Sequence, residues 1–388
     1  MNTATFNYKL RGFDAMNNRR RNRPGTTSYA LSALRCCGAL LLSIFSLSLP
    51  LSAQERQKVI VDQDAMGPAY TDLQAILVLL QSPQVEPLGI TVVTGDGWRD
   101  EEVAHTLRLL EIIGRPDIPV VPGAVFPLIN TKEATARWEK LYGKIRYQGA
   151  WNYGKVHDPF VVPELAEGNP TIKPASEDAA HFIVRMVHQY PHQITILTAG
   201  PLTNLGLAIA IDSQVPELAK ELVFNGARIN PQNVDYKESS LLARDFNLWW
   251  DPEAAHIVLR APWHKITCTP LDISIKTWMS KDLTARIAKG STPLSHYLAK
   301  FATEGYMWDE LTFAAWVDPA IITKQEVMYL DANINHGANY GDTMSWLPGD
   351  NPGMGEQPVQ VNEELDKQKF YDMFVELMTH PTPQASRP

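Results

Sequence analysis

The chain has 388 residues, of which 45% are hydrophobic and 20% charged, so it can bury a sizeable core in one large domain or two modest ones. Its formal net charge of −8 is unevenly distributed, because residues 1–53 carry seven cations and one acid, which leaves the remainder near −14. Nucleic-acid binding needs clustered Lys and Arg side chains, and the acidic remainder has no such cluster, which argues against a nucleic-acid partner.

The amino terminus has the layout of a secretory signal peptide. A basic stretch at residues 19–23 precedes an apolar run at residues 36–49 and a small-residue site that ends at Ala53. The apolar run has the length of a signal-peptide core and is short for a membrane-spanning anchor, so cleavage after Ala53 is favoured over retention. The sequence therefore predicts a signal peptide over residues 1–53 and an exported protein, periplasmic or extracellular, without membrane contact after cleavage.

From residue 58 onward, runs typical of buried strands alternate with the spacing of amphipathic helices. The predicted strands are residues 58–62, 87–93, 118–121, 193–197 and 221–224. The predicted helices are residues 73–80, 103–110, 180–187, 202–211 and one that begins at Asp251 with a proline in its first turn. Residues 138–163 are predicted to be irregular. The alternation predicts one α/β domain over residues 54–380, with a mainly parallel sheet and helices on both faces, and a disordered tail over residues 381–388.

Acidic residues follow several of the predicted strands. Asp62 and Asp64 end the first strand, Asp72 follows a short loop, and Asp96 follows the second strand; Asp309 lies beside an apolar helical stretch. In such sheets ligands bind outside the carboxyl ends of the strands, where these acids would converge. Close carboxylates raise each other's pKa unless a cation is present, and oxygen ligands suit calcium or magnesium. The alternative is that these acids are helix caps and solvated loop residues.

Four segments of the chain, in sequence order, resemble the inosine–uridine-preferring nucleoside hydrolases. They are VIVDQD with DLQA and LGITVVTG (residues 59–64, 72–75 and 88–95), TAGPLTN (residues 198–204), FN with DPEAAHIV (residues 246–247 and 251–258), and Asp309. The resemblance covers roughly residues 58–378. It implies the Rossmann-like fold of that family and hydrolysis of the N-glycosidic bond of ribonucleosides.

The resemblance also implies the residues of the site. Asp64, Asp72, the backbone carbonyl of Ala199 and Asp309 match the positions that hold a calcium ion. Asp64 matches the general base that takes a proton from a calcium-bound water, which then attacks an oxocarbenium-like ribosyl centre. Asn247 matches a contact to a ribose hydroxyl.

Several positions depart from the family pattern. The loop after the first strand is longer than in the family, and Thr71 stands where an acid that contacts a ribose hydroxyl is expected. Asp96 replaces a family Asn, and Asp245 replaces a family Glu beside Asn247, so both are expected to contact substrate. Thr71 and Asp96 favour the alternative of a related exported hydrolase or sugar-binding protein that acts on a different glycoside or ribosyl compound.

Trp308 stands where many members of the family have a histidine that protonates the leaving base. Stacking of the base on aromatic side chains, Trp308 and Trp151 among them, is therefore expected to replace that proton donor and to favour purine nucleosides. Core packing is the favoured role for Trp249 and Trp250, and His157 is a weaker candidate acid. The expected partner is a small-molecule nucleoside or other glycoside, and formation of a homo-oligomer is left open.

The export prediction can be checked on protein from the native host. If residues 1–53 are a cleaved signal peptide, amino-terminal sequencing of the mature protein should begin at or near Gln54, because the small-residue site ends at Ala53. A soluble protein that begins at Met1 or Met16 would contradict this prediction.

Overall fold

The computed structural model describes residues 56–152, 154, 156–230 and 244–384. All of the described residues belong to one compact unit, Gln54–Pro388. The predicted signal peptide and residues 385–388 of the predicted tail lie outside the described residues. Within the tail, the Pro383 carbonyl accepts a hydrogen bond of 3.0 Å from Arg115 Nη1. No helix in the described ranges is both long and apolar enough to cross a membrane.

Nine strands of the described residues form one sheet: β1 (Gln57–Gln63), β2 (Val85–Val92), β3 (Val120–Pro122), β4 (Thr195–Thr198), β5 (Glu221–Asn225), β6 (Ile266–Thr269), β7 (Ile322–Ala332), β8 (Thr343–Trp346) and β9 (Pro358–Leu365). Their order is β3-β2-β1-β4-β5-β6-β9-β7-β8. In this spatial order, each pair of neighbouring strands between β3 at one edge and β9 is parallel. The remaining strand β7 is antiparallel to both β9 and β8. The predicted, mainly parallel sheet is therefore confirmed, and the antiparallel strands at one edge are a feature that was not predicted. Much of β7 is exposed or half-buried, so no continuous apolar run predicts it.

The α-helices of the described residues follow the predicted alternation with several short additions. They are α1 (Thr71–Leu80), α2 (Arg99–Ile112), α3 (Lys132–Tyr142), α4 (Ala179–Gln189), α5 (Thr203–Ile211), α6 (Val215–Leu218), α7 (Phe246–Trp250), α8 (Pro252–Arg260), α9 (Leu271–Ser274), α10 (Lys281–Ile287), α11 (Pro293–Phe301), α12 (Trp308–Val317) and α13 (Lys367–Thr379).

Helices α8 and α3 show where local sequence signals succeed and where they fail. The helix predicted to begin at Asp251 is confirmed, since the Asp251 side chain accepts from Ala254 N at 3.1 Å as the cap of α8. The prediction of irregular structure from residue 138 was wrong at its start, because α3 continues to Tyr142. Only Thr135 of α3 is buried, so the helix has almost no core-facing stripe for periodicity to detect.

Alternate residues of β1 face two different cores, and this places helices on both faces of the sheet as predicted. Val59 and Val61 belong to an apolar cluster that includes buried residues of α1, α12 and α13. Ile60 belongs to a second cluster, with residues of α4, α5 and α8. A strand that is apolar on both sides in this way is typical of a parallel sheet covered on both faces.

The direction in which the sheet grows reverses beside β1. This strand pairs with β2 on one side and with β4 on the other. Along the chain, β2 and β3 are therefore added on one side of β1, and β4, β5 and β6 are then added on the opposite side. In open α/β sheets, the crevice at the carboxyl ends of two such strands is the place where ligands bind. The residues that directly follow β1 and β4 are therefore the expected centre of a site.

Candidate active site

A cavity of about 500 Å³ lies at this point of the sheet, and all four residues predicted to hold a cation line it. Asp64 follows β1 and Ala199 follows β4. Asp72 is the second residue of α1, and Asp309 is the second residue of α12. Two strand ends and two helix starts therefore each bring one residue to the same cavity.

Two buried carboxylate oxygens of this group, Asp64 Oδ1 and Asp72 Oδ2, have no hydrogen-bond partner among the described residues. The opposite oxygens are engaged: Asp64 Oδ2 accepts from Asp96 N at 3.1 Å, and Asp72 Oδ1 accepts from Gln63 Nε2 at 3.4 Å. Gln63 Nε2 also donates to Asp309 Oδ2 at 2.7 Å. A buried polar atom without a partner costs about 1–3 kcal/mol, so the two free oxygens fit the ligands of a cation.

Burial and mutual repulsion raise the pKa of each acid in the group. Burial is the largest cause for Asp64 and Asp72, whose pKa values lie well above their ordinary range, and the Asp96 charge is the second cause for both. Burial also raises the pKa of Asp309 to about 7 and that of Asp96 to about 6. Within the described residues, no Lys or Arg forms an ion pair with Asp64, Asp72 or Asp309. A bound cation would relieve this repulsion.

The carboxylates by themselves do not complete a metal cage. Among the residues that the structure describes, no three or more Asp, Glu, His or Cys side chains are grouped closely enough to hold a metal ion. The expected ligand set is mixed, because it includes the Ala199 carbonyl, which accepts from Asn247 Nδ2 at 2.9 Å. A carbonyl oxygen has two lone pairs, so this hydrogen bond leaves one for a cation. The residues fit an ion whose remaining ligands are water or substrate.

Two glycines determine the position of Asp64. A Cβ atom on Gly95 would lie 2.0 Å from Asp64 Oδ2, and one on Gly200 would lie 2.7 Å from Asp64 Oδ1. Neither distance is tolerated between non-bonded atoms, so the carboxylate can occupy its place only because both neighbours lack a side chain. These glycines belong to the LGITVVTG and TAGPLTN segments, where their role is therefore steric.

Asp62 lies outside the cavity lining and connects the strand ends behind it. Its Oδ1 accepts from Thr91 Oγ1 at 2.5 Å and from Asn204 Nδ2 at 2.8 Å. Asn204 Oδ1 accepts in turn from Ala124 N at 2.8 Å, which ties the loop after β3 to β1. Burial raises the pKa of Asp62 to about 6, although both hydrogen bonds act against this shift. Asp62 is thus a structural carboxylate.

Asn247 and Asp245, both predicted to contact substrate, line the cavity. Asp245 is the N-cap of α7 and accepts from Leu248 N at 2.9 Å, while burial raises its pKa to about 6. Asn247 donates to the carbonyls of Ala199 and Asn225, the second at 3.3 Å. The protein therefore holds the Asn247 amide beside Ala199 and the Asp245 carboxylate at the start of α7.

Asp96 also lines the cavity, and its carboxylate is hydrogen-bonded to the phenol of Tyr147. Burial and then the Asp96 charge raise the pKa of Tyr147 well above its ordinary value, so Tyr147 remains a hydrogen-bond donor. The Tyr147 ring lies edge-on to Phe246 with 5.0 Å between centroids. Tyr147 is not among the residues singled out above, because it falls in the stretch predicted to be irregular.

Three aromatic side chains form a continuous row in the cavity lining. Trp308 packs on Tyr306 with ring centroids 4.6 Å apart, and Tyr306 packs edge-on against Trp278 at 4.9 Å. The sequence predicts the place of Trp308 only. Tyr306 is two residues away and could have been included, whereas Trp278 is brought near by the fold alone.

Other candidates are not brought to the cavity. Trp151 is only 3% exposed and lies outside the lining, because its ring packs 4.3 Å from that of Trp250 in an aromatic core that also contains Trp249. His157 Nε2 is hydrogen-bonded to Glu101 Oε2 at 2.8 Å, and this residue does not line the cavity either.

Glu310 is a buried acid of the lining that follows Asp309 directly. Thr71 Oγ1 donates to Glu310 Oε2 at 2.5 Å and accepts from Asp309 N at 3.3 Å. The resemblance leads us to expect an acid at position 71, and Thr71 at this position is hydrogen-bonded to the carboxylate of Glu310. Its place beside Asp309 was visible in the sequence, but only the packing of α1 on α12 brings it to Thr71.

Comparison with known proteins identifies the family of this chain. Residues 59–372 match the family described as inosine-uridine preferring nucleoside hydrolase. Uridine nucleosidase 1 of Arabidopsis thaliana is 30% identical over 330 residues, which cover 80% of this chain and 90% of the relative. The inosine-uridine preferring nucleoside hydrolase of Leishmania major is 24% identical over 341 residues, or 83% of this chain and 97% of the relative.

A solved structure shows the same fold. The purine-preferring ribonucleoside hydrolase from Gardnerella vaginalis aligns over 83% of this chain and 98% of its own length, with a TM-score of 0.67 at 19% identity. Fold and site together define a hydrolase of the nucleoside hydrolase type. The chain belongs to the inosine-uridine preferring nucleoside hydrolase family. It is an enzyme that hydrolyses the N-glycosidic bond of ribonucleosides, and a metal ion is typical of its family.

The steric role of Gly95 leads to a prediction. If Asp64 is the general base that the resemblance implies, Gly95→Ala should lower kcat/KM for nucleoside hydrolysis by about 100-fold or more, because the added methyl group displaces its carboxylate and small displacements at a reacting centre have effects of this size. Gly337→Ala is the matched control, since no atom lies within 4 Å of its added methyl group. Steady-state kinetics on both variants, with circular dichroism to confirm folding, test the prediction. Equal rates would show that Asp64 can move without loss.

Proposed function

We propose that the enzyme hydrolyses ribonucleosides with a calcium ion held by Asp64, Asp72, the Ala199 carbonyl and Asp309. The observation that carries this proposal is the pair of buried, unpartnered oxygens, Asp64 Oδ1 and Asp72 Oδ2, within a group of acids. Calcium accepts six to eight oxygen ligands from carboxylates, backbone carbonyls and water, whereas magnesium requires a smaller octahedron. When bound, the ion supplies Lewis acidity that lowers the pKa of a water molecule.

We assign Asp64 as the general base. Its Oδ2 is held by the Asp96 backbone N–H, and Gly95 and Gly200 confine the carboxylate, so its orientation is defined before substrate binds. Asp64 takes a proton from the water that attacks the anomeric carbon. A positioned general base contributes about 10²- to 10⁴-fold to the rate of such a step.

The acids of the lining also suit the sugar. Positive charge develops on the ribosyl centre as the base departs, and nearby carboxylates stabilise it. We assign Asp96 and Asp245 to this region, because both line the same cavity as Asp64, where Asp245 is buried and Asp96 is half-buried. Asn247 is assigned to a ribose hydroxyl, and its hydrogen bond to the Ala199 carbonyl supports this role by fixing the amide next to the proposed ion.

We assign the leaving base to the aromatic row of Trp308, Tyr306 and Trp278. No histidine is found among the described residues that line the cavity, so the usual proton donor for a departing base has no counterpart there. Stacking contributes roughly 1 kcal/mol per ring pair beyond the free energy gained by burying apolar area. This contribution is larger for a base with a larger π-surface. The row therefore supports a preference for purine nucleosides.

A pyrimidine preference is the second candidate. The Arabidopsis thaliana relative, 30% identical to this chain, is named as a uridine nucleosidase, and this similarity favours uridine. The two candidates differ in how the base leaves, since stacking favours the larger ring system. Direct comparison of a purine with a pyrimidine nucleoside therefore decides between them.

We further propose that the mature enzyme acts outside the cytoplasm. The proposal rests on the signal-like composition of residues 1–53. It is supported by the family match, which begins only at residue 59, and by the compact unit of the described residues, which begins at Gln54.

Calcium binding can be measured without turnover. The chelator-stripped protein should take up one calcium ion in a calorimetric titration, and Asp309→Asn should weaken this uptake at least about 10-fold and abolish turnover, because it removes a charged ligand. Affinity should fall as the pH is lowered through about 7, because burial raises the pKa of Asp309 to about 7 and protons then compete with the ion. Asp178→Asn, which alters an exposed helix cap, is the control and should bind normally. Absence of calcium uptake by the unmodified protein would defeat the metal assignment.

The leaving-group assignment predicts the order of three substrates. Inosine should be hydrolysed well and uridine poorly, whereas p-nitrophenyl riboside should react readily because its phenolate leaves without protonation. Trp308→Ala should reduce inosine turnover only moderately, since stacking is shared along the aromatic row, and should leave the activated riboside nearly unaffected.

Two other outcomes have defined meanings. Comparable rates for inosine and uridine would show that the enzyme contains a proton donor outside the aromatic row. If the activated riboside is inert while calcium is bound, the protein acts on, or binds, a different glycoside.

A further inference from the structure

Gln63 joins two of the proposed calcium ligands that come from different helices. It is the last residue of β1 and is fully buried. Its Nε2 donates to Asp309 Oδ2 at 2.7 Å and to Asp72 Oδ1 at 3.4 Å. Since Asp72 is the second residue of α1 and Asp309 the second residue of α12, one amide nitrogen contacts the first turns of both helices.

The bridge leaves one oxygen of Asp72 available for an ion. Gln63 engages Oδ1, whereas Oδ2 is buried and has no hydrogen-bond partner within the described ranges. A carboxylate that is held by a donor on one side presents its other oxygen in a defined direction. The side of Asp72 away from Gln63 is therefore the side on which a cation fits.

The amide of Gln63 supplies a donor to both carboxylates, although its own Oε1 is buried without a hydrogen-bond partner among the described residues. Its two N–H groups can stabilise two carboxylates at once without adding positive charge. A Lys or Arg side chain would neutralise the same carboxylates but would also repel a cation at this short range. An apolar side chain would leave the engaged oxygens of Asp72 and Asp309 buried without a donor.

We infer that Gln63 is a positioning residue of the cation site: its bridge sets the separation and orientation of Asp72 and Asp309, and thereby the affinity and selectivity for calcium. This inference rests on the proposed function, because it takes these carboxylates as ligands. Residues that orient metal ligands typically change metal affinity by about 10- to 100-fold when they are replaced. Without the bridge, the two carboxylates are free to close around the smaller magnesium ion.

The chain offers a matched control in Gln81, which is also buried and lies at the opposite end of α1 from Asp72. Its Nε2 donates to the carbonyls of Leu377 and His380, each at 2.8 Å. Gln81→Leu therefore removes two buried hydrogen bonds of a glutamine without changing the cavity. It separates loss of stability from loss of ligand orientation.

The experiment is a calorimetric titration of the chelator-stripped full chain with calcium chloride and, separately, with magnesium chloride. Gln63→Leu should lower calcium affinity by about 10- to 100-fold and reduce the ratio of calcium to magnesium affinity. Gln81→Leu should lower the unfolding temperature but keep both affinities. Gln63→Asn keeps a neutral amide that is too short to reach both carboxylates, so it should also lose calcium affinity and serves if Gln63→Leu does not fold.

Each other result has a distinct consequence. If the unmodified chain takes up no calcium, the proposed metal site is wrong, and the inference fails with it. If the unmodified chain binds calcium and the Gln63 variants bind it equally well, the inference is overturned while the proposed function stands. An equal loss of calcium affinity in Gln81→Leu would assign the effect to general destabilisation and would also overturn the inference.

Discussion

Repulsion among buried carboxylates is the constraint on which this site depends. Asp64, Asp72 and Asp309 are almost completely buried in one cavity, and burial together with neighbouring acids raises their pKa values. Backbone and amide N–H donors offset part of this cost, through Asp96 N and Gln63 Nε2. The oxygens that remain without a donor face a cost that a cation removes, which is the physical reason for the proposed calcium ion.

The sheet makes this arrangement possible by bringing backbone, rather than side chains, close to the acids. Gly95 and Gly200 end neighbouring segments on both sides of Asp64, and neither leaves room for a methyl group. Ala199 offers a carbonyl, for which no special side chain is needed. The reversal of strand order beside β1 is what places these three backbone positions around one carboxylate.

The two kinds of lining correspond to the two parts of a nucleoside. The acids and Asn247 lie around the proposed ion and suit the sugar, at which positive charge develops during cleavage. The row of Trp308, Tyr306 and Trp278 presents flat apolar surfaces and suits the base. In the proposed mechanism, charge stabilisation and stacking act on opposite sides of the same bond and assist its cleavage without a histidine acid.

The sequence by itself determined those features that depend only on residues close together in the chain. The apolar runs that become β1, β2 and β4, the cap at Asp251, and the acids that follow the strands can all be identified from residue type and spacing. Because parallel strands end at one edge, the convergence of Asp64 and Asp72 at the cavity could also be predicted. The assignment of the Ala199 carbonyl and of Asp309 as cation ligands came from family resemblance, since no local pattern indicates either role.

Only the tertiary structure decided which distant residues meet. Gln63 contacts Asp309 across 246 positions, and Glu310 contacts Thr71 across 239, and no local pattern encodes either pair. The same holds for the tryptophans: Trp151 and Trp308 look alike in sequence, yet Trp151 packs on Trp250 in the core while Trp308 lines the cavity. An aromatic side chain is equally favourable in a core or in a binding site, so its role follows from how the helices pack around the sheet.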